Sequence, residues 1–402
     1  MSSAAGTVTR LTAATAGLPA PLAVVDLDVF DTNALDLLKR ADGMPVRVAS
    51  KSVRVRSLVQ RALGHGFTGV MAYSLREALW LVGEGMRDVL VGYPTVDAGA
   101  LAALAADPVA RAEITLMADD AAHLARISAA VAEADVGDGA PPVQVCLDVD
   151  CSLRVGAGRL TAHLGTRRSP LREPADVAAL ARLAPAQGLA VRGLMFYEAQ
   201  VAGLPDTNPA VRAVKRLSMR EVNARRVRVV AAVRDAVGHD VELVNAGGTG
   251  SIEVSGTAPG VTEVTAGSGL FAPGLFDGYR SFEARPSAFF GLDVVREPAP
   301  GWVTAFSGGY AASGQPGSSR LPRLFTPGYT LSGTEGAGEV QTPLRAARGS
   351  GPGGRLRTGD RVWLRHAKAG EMMERFDEVH LVRGAEVVGT VPTYRGEGRN
   401  FG

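Results

Sequence analysis

Eight short apolar segments recur along the first two thirds of the chain, and this repetition constrains the fold more than any other feature. They are predicted strands at residues 46–50, 69–73, 89–93, 114–117, 143–148, 191–197, 241–246 and 261–266. Amphipathic helical patterns separate most of them, as at residues 52–63, 74–83, 98–106, 119–134 and 174–186. Continuously apolar strands that alternate with helices indicate a parallel sheet covered by helices. Eight such units predict an α/β fold with a closed (β/α)8 TIM barrel.

The character of the sequence changes after Gly269. Turns rich in Gly and Pro interrupt short alternating strands at residues 301–306, 361–364, 379–382 and 386–391, which is typical of a mostly β domain. A chain of 402 residues also exceeds the usual size of a single core. We therefore predict a flexible leader at residues 1–18, a barrel at 19–270 and a C-terminal β domain at 271–402. A contribution of the apolar strand at residues 22–27 to the β domain is left open.

Net charge, hydrophobic content and cysteine number indicate which partners and which cellular compartment to expect. The formal net charge is +2 and 46% of the residues are hydrophobic, so we predict neither a nucleic-acid partner nor a membrane partner. Cys146 and Cys151 are too few and too close for a disulfide framework, which indicates a reducing compartment. No apolar run reaches the roughly 18 residues that would span a membrane. We therefore predict a cytoplasmic protein.

The segment at residues 45–53 places a lysine at the end of the first barrel strand. Its alternating β-branched residues favour a strand that leads directly to Lys51, between two serines. In a parallel barrel the C-terminal strand ends form the active-site face, so Lys51 could be a Schiff-base lysine. A surface lysine in a strand-to-helix turn is the alternative interpretation of this segment alone.

Two glycine-rich turns follow the seventh and eighth strands. Gly247, Gly248 and Gly250 surround Thr249, and Gly267 and Ser268 lie in the second turn. Glycines let backbone N–H groups approach an anion closely, and the hydroxyl groups add further donors. Glycine is common in turns for conformational reasons alone, but TIM barrels often bind phosphate in these two loops. The turns therefore predict a phosphate site.

Two further polar residues follow strands five and six. Arg154 lies just beyond strand five, where its guanidinium could hold a cofactor ring nitrogen or a substrate carboxylate, or simply pair with Asp148 or Asp150. Tyr197 ends strand six, beside Glu198, and its ring could contact a ligand or pack inside the barrel. The residues alone leave these alternatives open.

Taken together, these motifs resemble the fold-type III pyridoxal-phosphate (PLP) enzymes. The resemblance is to the D-threonine aldolase and D-serine dehydratase group, whose relatives include alanine racemase, and it extends over residues 20–400. It depends on the order of a lysine after strand one, an arginine after strand five, a Tyr-Glu pair after strand six and a Gly-Gly-Thr-Gly turn after strand seven. Arg47 also keeps the family spacing of an arginine before Lys51.

The resemblance implies a role for each candidate residue. Lys51 would form the Schiff base, Arg154 would approach the pyridine nitrogen, and Tyr197 would contact the cofactor ring. The phosphate would be held by residues of the two glycine turns, namely Gly247, Gly248, Thr249, Gly250, Gly267 and Ser268. The expected cofactor is therefore pyridoxal 5'-phosphate.

The sequence departs from the family where a divalent metal is expected. A C-terminal histidine and a second ligand two residues later hold that metal in the aldolase and dehydratase group, whereas here His366 is followed by Lys368. A protonated lysine is a poor ligand. His366 therefore stands as a metal ligand or as a catalytic base, and Lys368 as a group that would neutralise a developing alkoxide instead of the metal.

The resemblance predicts a lyase that acts on a small amino acid. The favoured reaction is aldol cleavage, or its reverse, of a β-hydroxy amino acid of D configuration. The alternatives are a dehydratase that converts D-serine or D-threonine to a 2-keto acid, an amino acid racemase, and a non-catalytic PLP-binding protein. The family also implies a homodimer.

Overall fold

The computed structural model describes residues 3–137, 139–156, 158, 161–347, 355–368 and 370–402. They form a closed barrel of parallel strands, surrounded by helices, and a mostly β domain. This architecture confirms the predicted fold class. In the described part of the chain, no helix is both long enough and apolar enough to cross a membrane.

The N-terminal segment differs from the predicted flexible leader. It contains helix α1 (Ala4–Ala14), followed by strand β1 (Leu22–Asp26) and helix α2 (Leu27–Arg40). Leu11 of α1 is fully buried in a cluster with Trp363 of the β domain, and Arg10 forms an ion pair with Asp26. The helix is stable because its few apolar residues lie on one face and that face packs against the sheet.

Each barrel strand lies close to its predicted position. The strands, given in chain order with an inserted hairpin of β7 and β8, are β2 (Val46–Ala49), β3 (Gly69–Ala72), β4 (Val89–Val91), β5 (Ile114–Ala118), β6 (Gln144–Asp148), β7 (Leu153–Val155), β8 (Ala162–Leu164), β9 (Ala190–Phe196), β10 (Leu243–Ala246) and β11 (Glu263–Ala266). The barrel closes in the order β2-β3-β4-β5-β6-β9-β10-β11, with β11 paired to β2. All its neighbours are parallel.

Helices follow the barrel strands. They are α3 (Arg56–Gly64), α4 (Leu75–Gly83), α5 (Ala98–Ala106), α6 (Pro108–Glu113), α7 (Ala121–Glu133), α8 (Pro174–Ala186), α9 (Ala199–Ala202), α10 (Pro209–Val237), α11 (Ile252–Gly256) and α12 (Ser268–Phe271). Ser74, Asp97, Asp120 and Asn208 accept hydrogen bonds from the first-turn N–H groups of α4, α5, α7 and α10. Such caps satisfy amides that have no partner within the helix.

The barrel interior has an ionic layer near the N-terminal strand ends. Arg47 of β2 is almost fully buried and binds Glu263 and Asp88, with nitrogen–oxygen distances of 2.7 Å to each. Arg192 binds Asp88 from the other side, also at 2.7 Å. Buried charges are tolerated when they are paired in this way. This layer lies away from the C-terminal strand ends. Arg47 therefore supports the N-terminal end of the barrel and does not line the opening at the other end.

The C-terminal domain is built on a sheet that includes the N-terminal strand. Its own strands are β12 (Ala288–Ala299), β13 (Trp302–Phe306), β14 (Arg323–Leu324), β15 (Tyr329–Leu331), β16 (Gln341–Ala346), β17 (Arg361–Arg365), β18 (Glu378–Arg383) and β19 (Glu386–Pro392). Strand β1 lies between β12 and β18, antiparallel to the first and parallel to the second. The predicted strand at residues 22–27 therefore precedes the barrel in the chain but forms part of the β sheet.

The C-terminal segment packs against α4 of the barrel. The fully buried Tyr394 donates a hydrogen bond of 2.9 Å to Glu77 of α4, and its ring meets Trp80 edge-on at 4.9 Å between ring centres. Glu77 also accepts a 2.7 Å hydrogen bond from the Tyr73 N–H. Burial raises the pKa of Glu77 to about 7, although these hydrogen bonds favour its charged form.

We expect Leu11→Ala to lower the free energy of unfolding by about 3 kcal/mol, because it removes a fully buried side chain between α1 and the sheet. Chemical denaturation would measure the change. Thr9→Ala, at an exposed position of the same helix, is the control and should change stability by less than about 0.5 kcal/mol. Equal stabilities for the two variants would contradict the docking of α1.

Glu77 should make stability depend on pH. Its pKa is higher in the folded protein than its ordinary value of 4.5, so folding favours the protonated form. This contribution is fully present below about pH 4.5 and is lost as the pH rises to about 7, with a change of up to about 3 kcal/mol. Denaturation of the unaltered protein and of Glu77→Gln across this range should show the difference. Glu133→Gln, at an exposed site, is the control and should retain the pH dependence of the unaltered protein. If Glu77→Gln retained that pH dependence too, Glu77 would not be the group responsible for it.

Candidate active site

A cavity opens at the C-terminal ends of the barrel strands. Its lining comes from turns that follow most of the strands, and one side is closed by residues of the β domain. The residues of the lining are Ala49, Lys51, Ser52, Met71, Gly92, Tyr93, Arg168, Met195, Tyr197, Ala202, Gly203, Asn245, Gly247, Gly248, Thr249, Thr265, Ala266, Gly267, Ser268, Pro273, Leu275, Phe276 and Lys368. This is the end of a barrel where active sites are found.

Lys51 lies in a short 3-10 turn directly after β2. The turn covers Ser50–Ser52, and the Ser50 hydroxyl donates a 3.0 Å hydrogen bond to the Met71 carbonyl of the neighbouring strand. The amine of Lys51 lines the cavity and donates a 2.6 Å hydrogen bond to the Tyr93 hydroxyl. The structure therefore places the predicted lysine at the mouth, as the amine of a cofactor-binding lysine requires.

The first glycine turn lies beside the cavity and is held by a buried carboxylate. Gly247 has a φ of 77°, a backbone conformation that favours glycine, and its N–H donates a 2.8 Å hydrogen bond to Glu198. Glu198 also accepts from the Ser255 hydroxyl at 3.0 Å and binds Arg226 at 3.3 Å. Glu198 and Arg226 are both fully buried, so the conformation of this turn depends on a paired charge below it.

The second glycine turn packs closely on the end of β2. A Cβ atom at Gly267 would lie 2.6 Å from the Ala49 carbonyl oxygen, so a larger residue would push this turn away from the Lys51 strand. The Thr249 hydroxyl accepts a 3.0 Å hydrogen bond from the Gly269 N–H and so joins the two turns. Backbone and hydroxyl groups of both turns therefore face one cavity, an arrangement that fits a phosphate group.

Gly250 does not belong to the lining of this cavity, although the sequence predicted a phosphate contact. A Cβ atom there would lie 2.4 Å from the Ala202 carbonyl oxygen and 2.5 Å from the Tyr279 ring. Gly250 is thus a packing position behind the turn. Gly247, Gly248, Thr249, Gly267 and Ser268 do line the cavity, as does Tyr197.

Arg154 is also outside this cavity, and another arginine takes its expected place. Arg154 lies in the hairpin inserted after β6, where it binds Asp150 at 2.7 Å. This is the local pairing that the sequence had left open. Arg168, which follows the hairpin, lines the cavity and binds Asp148 at 2.9 Å and the Gly92 carbonyl at 3.0 Å.

Arg168 stands between two aromatic rings of the lining. Its Cζ atom lies 5.2 Å from the centre of the Tyr93 ring and 5.5 Å from that of Tyr197, which are cation–π distances. Burial raises the pKa of Asp148 to about 6, although the Arg168 charge acts in the opposite direction. Burial likewise raises the pKa of Tyr197. This part of the cavity is therefore cationic and aromatic, and it would attract an anionic group on a flat ring.

The two candidate residues of the C-terminal domain, His366 and Lys368, occupy different environments. Lys368 lines the cavity, whereas His366 is buried behind it, with its ring edge-on to Phe271 at 6.0 Å between centres. Within the described parts of the chain, no group of three or more His, Cys, Asp or Glu side chains is arranged to hold a metal ion. The donors around His366 therefore do not fit the metal site that the resemblance implied.

The sequence analysis did not identify Arg168 and Tyr93, which both contact other functional candidates in the cavity. Arg168 lies in the long segment between strand five and the next helix, and the inserted hairpin moves it to the mouth although it is 14 positions beyond Arg154. Tyr93 ended the predicted strand at residues 89–93, and its position at a C-terminal strand end was the signal that could have identified it.

Comparison with known proteins agrees with this architecture. No protein-family model matches the chain. The D-threonine aldolase of Arthrobacter sp. is 28% identical over 318 residues, which cover 74% of this chain and 76% of that protein.

Solved structures show the same fold over nearly the whole chain. The D-threonine aldolase of Filomicrobium marinum superimposes with a TM-score of 0.77 at 21% identity, covering 94% of this chain and 96% of that one. The D-threo-3-hydroxyaspartate dehydratase of Delftia sp. HT23 gives a TM-score of 0.74 at 22% identity, covering 94% and 98%. The predicted resemblance to the D-threonine aldolase group is confirmed by the Arthrobacter sequence relative, and the solved structures show that the fold is shared.

Proposed function

We propose that this protein is a PLP-dependent lyase that cleaves, or forms, a β-hydroxy amino acid of D configuration. The observation that carries the proposal is the position of Lys51, whose amine faces a cavity bounded by the glycine turns after the seventh and eighth strands. The sequence relationship to D-threonine aldolase supports the same reaction class and the D configuration.

The cavity residues divide into groups with separate roles toward the cofactor. Lys51 would hold PLP covalently, and Gly247, Gly248, Thr249, Gly267 and Ser268 would bind its phosphate. When bound, PLP supplies an electron sink for the bond that breaks at the α-carbon of an amino acid.

The remaining lining residues would orient the cofactor and the substrate. Arg168 and Tyr197 would fix the orientation of the cofactor ring by charge and by contact, the role that the sequence analysis had given to Arg154. The apolar side chains of Met71 and Met195 would exclude water from that side of the ring.

Lys368 is the candidate for the hydroxyl end of the substrate. Its ammonium group would stabilise negative charge on the β-oxygen, a role that does not require a metal ion. His366, which the sequence offered as a metal ligand or as a catalytic base, would instead support the cavity wall behind Phe271 and Gly274. Loss of the hydroxyl group to give a 2-keto acid is the second candidate function, because a D-threo-3-hydroxyaspartate dehydratase shares the fold.

The predicted homodimer and the cytoplasmic location remain parts of this proposal. Gel filtration with light scattering would test the dimer, and the substrate class is a small amino acid in either case.

We expect the protein to bind PLP through Lys51. After reduction with borohydride, peptide mapping should find the pyridoxyl label on Lys51, and Lys51→Ala should carry no label and lose activity on every D-β-hydroxy amino acid tested. The products distinguish the two candidate reactions, because cleavage gives glycine and an aldehyde whereas elimination gives a 2-keto acid and ammonia. Absence of label on the unaltered protein would contradict the proposal.

Two arginines that follow β6, the fifth barrel strand, offer a matched pair of variants. Arg168→Ala should lower activity by at least about a hundredfold, because it removes a buried cation from the cavity wall and leaves Asp148 without its partner. Arg154→Ala removes a half-exposed arginine, while the buried Asp150 keeps its hydrogen bonds from Ser152 and its ion pair with Arg172. Activity should therefore change by less than about threefold. A larger loss of activity in Arg154→Ala than in Arg168→Ala would contradict this prediction and would support Arg154 as the arginine near the cofactor ring.

A further experiment tests whether activity depends on Lys368 and not on a metal ion at His366. Activity should survive exhaustive treatment with a chelator and should fall by at least about tenfold in Lys368→Ala, because the lysine then carries the charge at the hydroxyl end. Lys368→Arg, which keeps the charge, should retain part of the activity. Complete loss with the chelator, restored by a divalent cation, would contradict this assignment.

A further inference from the structure

Tyr93 makes a direct contact with the amine of Lys51. The residue follows β4, and its hydroxyl accepts a 2.6 Å hydrogen bond from the Lys51 Nζ atom. The ammonium nitrogen lies 5.1 Å from the centre of the same ring, so the contact involves the hydroxyl group and not the ring face alone. Tyr93 lines the cavity, and 38% of the residue is exposed.

Two cations flank this phenol. Lys51 lies on one side and Arg168 on the other, and Arg168 is itself fixed by Asp148 and by the Gly92 carbonyl. Partial burial alone would raise the pKa of Tyr93, but the charges of Lys51 and Arg168 outweigh this effect and lower the pKa below the ordinary value of a phenol. A share of the phenolate form is therefore present closer to neutral pH than for a free tyrosine.

The cavity offers few other groups that could exchange a proton. Among the described residues of its lining, none is Asp, Glu or His. The titratable or charged side chains that face Tyr93 or share its cavity are Lys51, Arg168, Lys368 and Tyr197. Burial raises the pKa of Tyr197, so that phenol stays protonated, and the cationic groups repel any further proton. Tyr93 is the side chain best suited to act as a base here.

We propose that Tyr93 is a catalytic acid–base residue that takes a proton from the Lys51 amine and returns it. This inference rests on the proposed function, since it assigns a role in the attachment and release of the PLP-binding lysine. It names a residue that neither the family resemblance nor the sequence analysis had assigned.

The proton transfer involves only the side chains of Lys51 and Tyr93. The Lys51 N–H bond breaks and leaves its electron pair on the nitrogen, while the phenolate oxygen of Tyr93 uses a lone pair to form an O–H bond. The neutral amine is the form that can attack an aldehyde carbon. When the lysine is displaced by the amine of a substrate, the proton returns from the phenol to Lys51. Neither direction needs an oxidant or a reductant.

The test compares the unaltered protein with Tyr93→Phe, which removes only the hydroxyl oxygen. In the cofactor-free proteins, absorbance near 295 nm should show one tyrosine that ionises below the others in the unaltered protein and not in Tyr93→Phe. The rate at which Lys51 captures added PLP, measured by borohydride trapping and peptide mapping, should rise with pH through the same ionisation. At neutral pH the capture should be at least about tenfold slower in Tyr93→Phe.

Tyr329→Phe is the matched control, because that tyrosine lies in β15 of the C-terminal domain, outside the cavity. It should change neither the early ionisation nor the capture rate. Equal capture rates and pH profiles in Tyr93→Phe and the unaltered protein would overturn the inference while leaving the proposed function intact. Failure of Lys51 to capture PLP in the unaltered protein would instead overturn the proposed function, and with it this role of Tyr93.

Discussion

The pairing of β11 with β2 closes the barrel, and the geometry of the site depends on it. Val264, Thr265 and Ala266 lie in register with Val46, Arg47 and Val48, although more than 200 positions separate the two strands in the chain. Because the strands are parallel, their C-terminal ends meet at one edge. The turn at Gly267 is thereby placed against the end of the strand that leads to Lys51.

Buried ion pairs stabilise the closed barrel at two levels along its axis. At the lower level, Arg47 of β2 binds Glu263 of β11, so an ion pair spans the same two strands that close the barrel. Nearer the mouth, Glu198 and Arg226 hold the Gly247 turn from behind. Removing one member of such a buried pair is more costly than its contacts alone suggest, because the other charge is left without a partner. The cavity thus has a rigid wall, as a site that must hold a cofactor and a substrate in one orientation requires.

The local chemistry of the strand ends could be predicted well from the sequence. Lys51 and the glycine turns follow apolar strands directly, so their places at the mouth depend only on strand order and direction. The same argument failed for Arg154, because a hairpin is inserted after β6 and the arginine that reaches the cavity, Arg168, comes after it. It failed for Gly250 because the side chain that packs behind this turn, Tyr279, lies 29 residues further along the chain.

The sequence by itself determined the eight-unit barrel, the β domain and the lysine, because period, apolar content and glycine position are properties of short segments. Only the tertiary structure decided which side chains share the cavity. Contacts between Lys51 and Tyr93, between Arg168 and Asp148, and between Lys368 and the barrel depend on barrel closure and on how the β domain packs. The same holds for α1, whose single fully buried residue, Leu11, becomes part of a core only when the sheet of the β domain lies against it.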